Sequence, residues 1–263
     1  MTAGGLPSPR PAVMPPAAPG VAPHPLLPHY YGSAEQRPAY VRELFDRSAR
    51  HYDRINAVMS FGAGRRYRRE MLVEAGLRPG MRVLDVAIGT GQVAREARRL
   101  LGGRGLVVGL DISSGMLEQA RRTGAADALV GGQAEALPFA CDSFELVSVG
   151  YGLRHVSDLS LLFRELARVL RPGGTLLVLE LSRPNDWWSH AMMRLYLGRL
   201  LPWISLLTTG SSDAKMLMRY YWDTIDGCVS PEVILAAMRG AGLGEVRSTV
   251  QYGILRAYMG CRA

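Results

Sequence analysis

A run with the composition of a buried strand, residues 144–152 (FELVSVGYG), is followed after one leucine by Arg154 and His155. In a parallel sheet, the carboxyl end of a strand faces the edge where ligands bind. Arginine keeps its charge there, and an imidazole titrates near neutral pH, so His155 is a candidate base. The pair therefore predicts an active site at this strand end. The alternative is a salt bridge at Arg154 and a histidine that hydrogen-bonds the loop backbone.

A second group of candidate residues surrounds a glycine-rich turn, LDVAIGTG at 84–91. Small residues after a strand let the backbone turn tightly and approach a ligand. An acid at the end of the next strand can accept hydrogen bonds from both hydroxyls of a ribose. The residues that carry this prediction are Asp85, Ala87, Gly89, Gly91 and Asp111.

The same features occur in NAD enzymes, and two details separate the cases. The turn reads A-x-G-x-G and lacks the third glycine of dinucleotide sites. The acid Asp85 would repel a pyrophosphate but would pair with an ammonium group. S-adenosylmethionine carries that ammonium and no phosphate. The turn therefore favours S-adenosylmethionine as cofactor.

Strand and helix patterns alternate from residue 80 onward, which predicts an α/β fold with a doubly wound, mostly parallel sheet. Residues 40–60 have the apolar spacing of an amphipathic helix, which predicts an N-terminal helical lid. After the fifth strand, residues 187–207 are apolar and aromatic, but Arg199 and Pro202 interrupt them. This inserted helical segment is too interrupted to span a bilayer. Its aromatic side chains, and those at 220–222, are expected to form part of an acceptor site.

Composition sets the remaining expectations. Prolines crowd the first 28 residues, so residues 1–36 are predicted to form a flexible tail and residues 37–263 one domain. Three cysteines and five histidines are scattered, which predicts a cytoplasmic protein without a metal site. The net charge of +8 has no nucleic-acid module beside it, and its densest cluster, residues 64–70 (GRRYRRE), is interpreted as a solvated helix face. No nucleic-acid partner is expected, whereas peripheral membrane contact and a homodimer are left open.

Five motifs together resemble the class I S-adenosylmethionine-dependent methyltransferases, and most closely the ubiquinone/menaquinone-biosynthesis C-methyltransferases. They are LDVAIGTG, GLDISSGML, GQAEALPF, GYGLRHV and LRPGGTLLVLELSRP. The resemblance implies that Thr90 and its glycines contact the methionine part of the cofactor and that Asp111 holds the ribose. It further implies a set of adenine, sulfonium and lid contacts at Ile112, Gln133, Ala134, Gly150 and Tyr52. It also implies that Arg154 stabilises a phenolate oxygen of the acceptor.

The sequence departs from that family at several positions. Ile88, Gln92, Gln133 and His155 replace residues that are usual there, and the last third matches loosely. The function expected is C-methylation of a quinol, phenolic or other lipophilic ring, so the partner is a small aromatic or lipophilic acceptor. Two alternatives stay open: a specialised-metabolite C-, N- or O-methyltransferase, and a catalytically silent scaffold of a biosynthetic complex.

Overall fold

A twisted seven-stranded sheet forms the centre of the protein. The computed structural model describes residues 20–60, 64–184 and 186–263. The strand order is β3-β2-β1-β4-β5-β7-β6, and β7 runs antiparallel to both of its neighbours while the other pairs are parallel. The strands are β1 Arg82–Val86, β2 Leu106–Asp111, β3 Ala128–Gly131, β4 Phe144–Gly150, β5 Leu170–Leu181, β6 Leu243–Gln251 and β7 Leu255–Arg262.

Helices cover both faces of this sheet. They are α1 Arg37–Ser60, α2 Gly64–Glu74, α3 Gln92–Leu101, α4 Ser114–Arg122, α5 Leu159–Val169, α6 Trp187–Met193, α7 Leu201–Thr209, α8 Ser212–Asp226 and α9 Pro231–Gly240. A π-helix, Arg194–Leu200, joins α6 directly to α7. The prediction of a doubly wound, mostly parallel α/β fold is confirmed.

Successive residues of the central strands point to opposite faces and enter two separate cores. Val83 belongs to the cluster under α2 and α3, whereas Leu84 belongs to the cluster under α5 and α9, and both are fully buried. Because both faces are covered, the strands read as almost continuous apolar runs. A third cluster joins α1 to the helices after β5, so the lid has a core of its own.

The N-terminal part of the described chain packs against the domain. The Val21 amide donates to the Asp158 carboxylate at 3.2 Å, and the Val229 amide donates to the Pro23 carbonyl at 2.9 Å. His24 and Tyr31 are buried. The expectation that the tail extends to residue 36 is therefore wrong for residues 20–36. Residues 1–19, the rest of that expectation, lie outside the described residues.

The segment from α6 to α7 packs on α8. Its apolar residues divide between a buried side, which includes Met193 and Leu197, and an exposed side, which includes Trp187 and Trp188. In the described part of the chain, none of the helices combines the length and the apolar character that crossing a membrane requires.

Candidate functional site

The carboxyl ends of β1, β2 and β4 border a cavity, here called the strand-end cavity. Its roof comes from α1 and includes Phe45 and Tyr52. Seven of the residues predicted from the turn and the later motifs line its walls: Ala87, Gly89, Asp111, Ile112, Gln133, Ala134 and Gly150. The parallel strands bring these residues together although they span more than 60 positions of sequence. They meet because all of them follow strand ends on one edge of the sheet.

Asp111 is one of two acids that line this cavity, the other being Glu135. Its two carboxylate oxygens accept the amide protons of Gly89, at 2.8 Å, and Ser113, at 2.9 Å. Burial raises the pKa of Asp111 to about 6, and these two hydrogen bonds oppose that shift. A carboxylate has about four acceptor positions, so Asp111 keeps capacity for two hydroxyl donors. That capacity fits the ribose of the predicted cofactor.

Asp85 lies beside a second, smaller cavity at the glycine-rich turn, the turn cavity, which Thr90 also lines. Asp85 accepts a hydrogen bond from Ser148 Oγ at 2.7 Å, because the register of β1 and β4 pairs these two residues. It also accepts the Ala94 amide of α3 at 3.1 Å. Burial raises the pKa of Asp85 to about 7. Asp85 thus anchors the start of α3 and places its charge beside the cavity.

Two residues of the turn have backbones with positive φ. Ala87 has φ 54°, which is unusual for a residue with a side chain. Gly91 has φ 84°, and a Cβ there would overlap the Cβ of Ala125. Gly91 lines neither cavity and packs closely on Ala125, and its contact with the cofactor stays a prediction.

The lid helix α1 closes over both cavities through polar contacts. Tyr52 Oη lies 2.6 Å from Tyr221 Oη of α8. Asp53, the next residue, accepts hydrogen bonds from Thr90 Oγ1 at 2.6 Å and from Gln92 Nε2 at 3.0 Å. Sequence reasoning found Tyr52 but missed Asp53, because a polar residue on an amphipathic helix has no signature of its own.

Arg154 is placed differently from the prediction. Its side chain is fully buried, and Nε donates to Glu180 Oε1 of β5 at 2.8 Å. Nη1 donates to Thr224 Oγ1 at 2.8 Å, and the guanidinium carbon lies 4.9 Å from the ring centre of Tyr221. Arg154 lines none of the cavities described here. These contacts join Arg154 to β5 and to Tyr221 and Thr224 of α8, and its implied role at an acceptor oxygen stays a prediction.

His155 lines the strand-end cavity. Aromatic rings surround it, with Phe45 and Tyr220 at centroid distances of 5.1 and 5.4 Å. Neither ring nitrogen has a hydrogen-bond partner among the described residues. Burial, and then the neighbouring charge of Arg154, hold the pKa of His155 well below its ordinary value. A neutral imidazole with this pKa is a weak base at neutral pH, so the arrangement does not support the predicted proton acceptor.

A third cavity, the apolar cavity, opens on the other side of Tyr52 and encloses about 420 Å³. Met192, Met193 and Tyr196 of the inserted segment form one wall, as the sequence suggests, and Tyr221 forms another. The other lining residues are Tyr52, Asn56, Gly64, Arg68, Tyr151, Leu181, Leu197, Tyr252, Ile254 and Leu255. Trp187 and Trp188 are absent from this lining and are exposed.

Sequence reasoning missed three residues that line the apolar cavity, although the sequence held some indication of each. Arg68 lies in the basic cluster at 64–70 that was interpreted as a solvated face, and its neighbour Tyr67 is only 2% exposed. Tyr151 follows Gly150 within a quoted motif and has a φ of 61°. Asn56 lies one helical turn after Tyr52. The cavities share Tyr52 and Tyr151, which therefore stand where all three meet.

The model of the ubiE/COQ5 methyltransferase family matches residues 32–262. The chain belongs to that family. It is 35% identical over 222 residues to the ubiquinone/menaquinone biosynthesis C-methyltransferase UbiE of Shewanella sediminis, a match that covers 82% of this chain and 87% of the relative. It is 37% identical over 214 residues to the UbiE of Hahella chejuensis, a match that covers 79% of this chain and 85% of the relative.

The fold also resembles solved structures at low identity. A Thermotoga maritima S-adenosylmethionine-dependent methyltransferase, described as a possible histamine N-methyltransferase, has a TM-score of 0.58 and 19% identity. That match covers 84% of this chain and 99% of the other and supports the fold alone. Family membership makes the protein an S-adenosylmethionine-dependent methyltransferase. The free acceptor capacity of Asp111 and the turn cavity fit that cofactor.

Proposed function

We propose that the protein methylates a ring carbon of a quinol-type, lipophilic acceptor that occupies the apolar cavity. The supporting observation is that this cavity of about 420 Å³ meets the strand-end and turn cavities at Tyr52 and Tyr151. The relatives named above are C-methyltransferases of ubiquinone and menaquinone biosynthesis, which supports the same acceptor class here. Apolar walls with few polar groups suit a prenylated aromatic ring.

In this proposal the cofactor occupies the two cavities on the sheet side of Tyr52. Asp111 accepts the ribose hydroxyls, and Ile112, Gln133 and Ala134 border the adenine. Asp85 and Thr90 hold the amino-acid end in the turn cavity, and Gly150, which lines both cavities, lies beneath the sulfur. When bound, S-adenosylmethionine supplies a methyl group on a positively charged sulfur.

The protein contributes mainly alignment and exclusion of water. The contact between Tyr52 and Tyr221 closes the lid over the place where the cavities meet. Holding two reactants in line makes the encounter effectively unimolecular, which accounts for a large share of a displacement's acceleration. Arg154, through its contact with Tyr221, keeps one side of this closure in place. The neutral imidazole of His155 forms part of the wall of the strand-end cavity.

We also propose that the outer side of the inserted segment contacts an anionic membrane surface, from which a lipophilic acceptor enters. Trp187 and Trp188 are 68% and 72% exposed, and Met192 is 70% exposed while also lining the apolar cavity. Residues 187–209 contain two arginines, Arg194 and Arg199, and no acidic residue. Aromatic and basic side chains together suit the interface of an anionic bilayer.

The membrane proposal is tested by flotation with vesicles of phosphatidylglycerol and phosphatidylcholine. The double variant Trp187→Ser/Trp188→Ser is expected to lose binding, whereas Val73→Ser, an exposed apolar residue on α2, should bind like the parent protein. No flotation of the parent, together with a dimer that the double variant dissociates, would assign this surface to a second copy of the chain.

The acceptor is tested with S-adenosylmethionine carrying a trideuterated methyl group and reduced demethylated quinones under anaerobic conditions. Mass spectrometry is expected to show the label on a ring carbon. Label confined to an oxygen or nitrogen, or to a non-quinone compound of a cell extract, would refute the quinol C-methylation and favour a specialised-metabolite acceptor.

A further inference from the structure

Arg68 of α2 lies where the reacting parts of cofactor and acceptor would meet. It lines both the turn cavity and the apolar cavity. Its guanidinium carbon lies 5.6 Å from the ring centre of Tyr151. Among the described residues that line the apolar cavity, Arg68 is the single charged one. Because the rest of this lining is uncharged and largely apolar, the positive charge of Arg68 favours an anionic group on a ligand in the cavity.

Two other arginines of α2 are paired with carboxylates, whereas Arg68 is not, although it is only partly exposed. Arg65 pairs with Glu96 at 3.0 Å, and Arg66 pairs with Glu70 at 2.7 Å. For Arg68 no carboxylate of the described residues lies within ion-pair distance. Its Nε is buried and has no hydrogen-bond partner among those residues. The guanidinium thus lines the cavity with no close carboxylate among the described residues to balance its charge.

Tyr151 shows what this charge does to a phenol at that position. Burial raises the pKa of the Tyr151 hydroxyl to about 12, and the positive charge of Arg68 is the largest effect that opposes the shift. A cation within a few ångströms favours the ionised form of an acid, typically by about 1 to 3 pKa units. An acceptor hydroxyl in the apolar cavity would experience the same field.

We propose that Arg68 is a catalytic residue that binds the ionised hydroxyl oxygen of the acceptor ring. The hydroxyl proton passes to solvent, and the guanidinium keeps its own protons throughout. Negative charge on that oxygen makes the adjacent ring carbon nucleophilic. After this carbon has gained the methyl group, its hydrogen leaves as a proton to solvent, which restores the aromatic ring. The inference rests on the proposed function, since it requires a hydroxyl-bearing ring in the apolar cavity. It gives Arg68 a role like the one that the resemblance implied for Arg154.

The test uses a chromophoric phenol, 4-nitro-1-naphthol, whose ionisation is followed by visible absorbance in the protein saturated with S-adenosylhomocysteine. The parent protein is expected to lower the pKa of the bound probe relative to Arg68→Met by about 1 to 3 units. Arg69 is an exposed neighbour on α2, so the probe's pKa in Arg69→Met should equal that in the parent protein. Arg68→Lys should keep part of the lowering of the probe's pKa. Equal probe ionisation in parent and Arg68→Met would overturn the proposal.

Calorimetry with S-adenosylhomocysteine separates this role from binding of the cofactor's carboxylate. Arg68→Met is expected to retain the parent's affinity within about threefold, and that binding also shows that the variant is folded. If Arg68→Met lost tenfold or more in affinity for S-adenosylhomocysteine while the pKa of the bound probe stayed unchanged, the proposal would be overturned. Arg68 would then be assigned to binding of the cofactor. If the parent lowers the probe's pKa but methylates no quinol, the quinol assignment fails while the role of Arg68 towards phenols stands.

Discussion

The buried pair of Arg154 and Glu180 gives the sharpest prediction about how the site is held together. The two side chains are 0% and 2% exposed, and Nε and Oε1 are 2.8 Å apart. Changing Glu180→Gln keeps the shape and an acceptor oxygen but removes the negative charge. The guanidinium would then remain buried with the Thr224 hydroxyl and the Tyr221 carbonyl as neutral partners.

The expected magnitude follows from that burial. Removing one partner of a buried ion pair typically costs about 3 to 5 kcal/mol, because the other charge is left without compensation. The amide oxygen retains one hydrogen bond, so we expect about 3 kcal/mol, the lower end of that range. Glu70→Gln is the matched control: its pair with Arg66 has a similar distance, 2.7 Å, but both side chains are exposed. There the expected loss is below about 1 kcal/mol.

The assay is urea unfolding at pH 7.5, followed by tryptophan fluorescence and far-ultraviolet circular dichroism, whose coincidence checks two-state behaviour. The double variant Arg154→Met/Glu180→Gln should lose clearly less free energy of unfolding than the two single variants lose together, since no unpaired charge remains buried in it. Equal losses for Glu180→Gln and Glu70→Gln, within about 0.5 kcal/mol, would refute the reasoning that burial controls this pair.

Four further predictions concern Asp85, the glycine-rich turn and the lid. The affinity for S-adenosylhomocysteine should rise between pH 6 and 8 as Asp85 ionises near pH 7, and Asp85→Asn should flatten this calorimetric profile. Without ligand, the free energy of unfolding of the parent protein should fall relative to that of Asp85→Asn as pH rises from about 4 to about 7. The reason is that the folded pKa of Asp85 exceeds its ordinary value of 3.8. Thermal melts in which the melting temperature of the parent rises with pH relative to Asp85→Asn would contradict this. Gly91→Ala should lower the free energy of unfolding by more than about 2 kcal/mol, since it adds a clash to backbone strain. Gly102→Ala, with φ 59° and open space, should lose about 1 kcal/mol in the same urea assay. Tyr52→Phe removes the contact with Tyr221 and should lower kcat/KM about fivefold; an unchanged kcat/KM would show that the hydroxyl pair does not hold the lid.

Much of the fold, and the grouping of several predicted cofactor residues within it, was predictable because the relevant signals are local. Alternating apolar runs and turns predict the strands and helices, and a parallel sheet then gathers Asp85, Asp111 and Gly150 at one edge. The tail was mispredicted for residues 20–36, since proline-rich composition does not reveal hydrogen bonds to Asp158 and Val229.

The acceptor side was less predictable, because identical residue types differ there only in their three-dimensional neighbours. Arg154 and Arg68 are both arginines near the same strand end, and the motif around Arg154 made it the natural candidate. The fold pairs Arg154 with Glu180 of β5, whose negative charge balances that of the arginine. Arg68 instead lines the apolar cavity. No periodicity along the chain encodes that difference.

The sequence alone thus determined the class of fold and indicated the cofactor, because strand ends and glycine turns follow from short-range patterns. Tertiary structure decided which cation faces the apolar cavity and how the lid meets the glycine turn through Asp53. It also decided that His155 is a neutral side chain within an aromatic cage. Burial and the pairing of charges depend on residues distant in sequence, and these two effects set what each ionisable group can do.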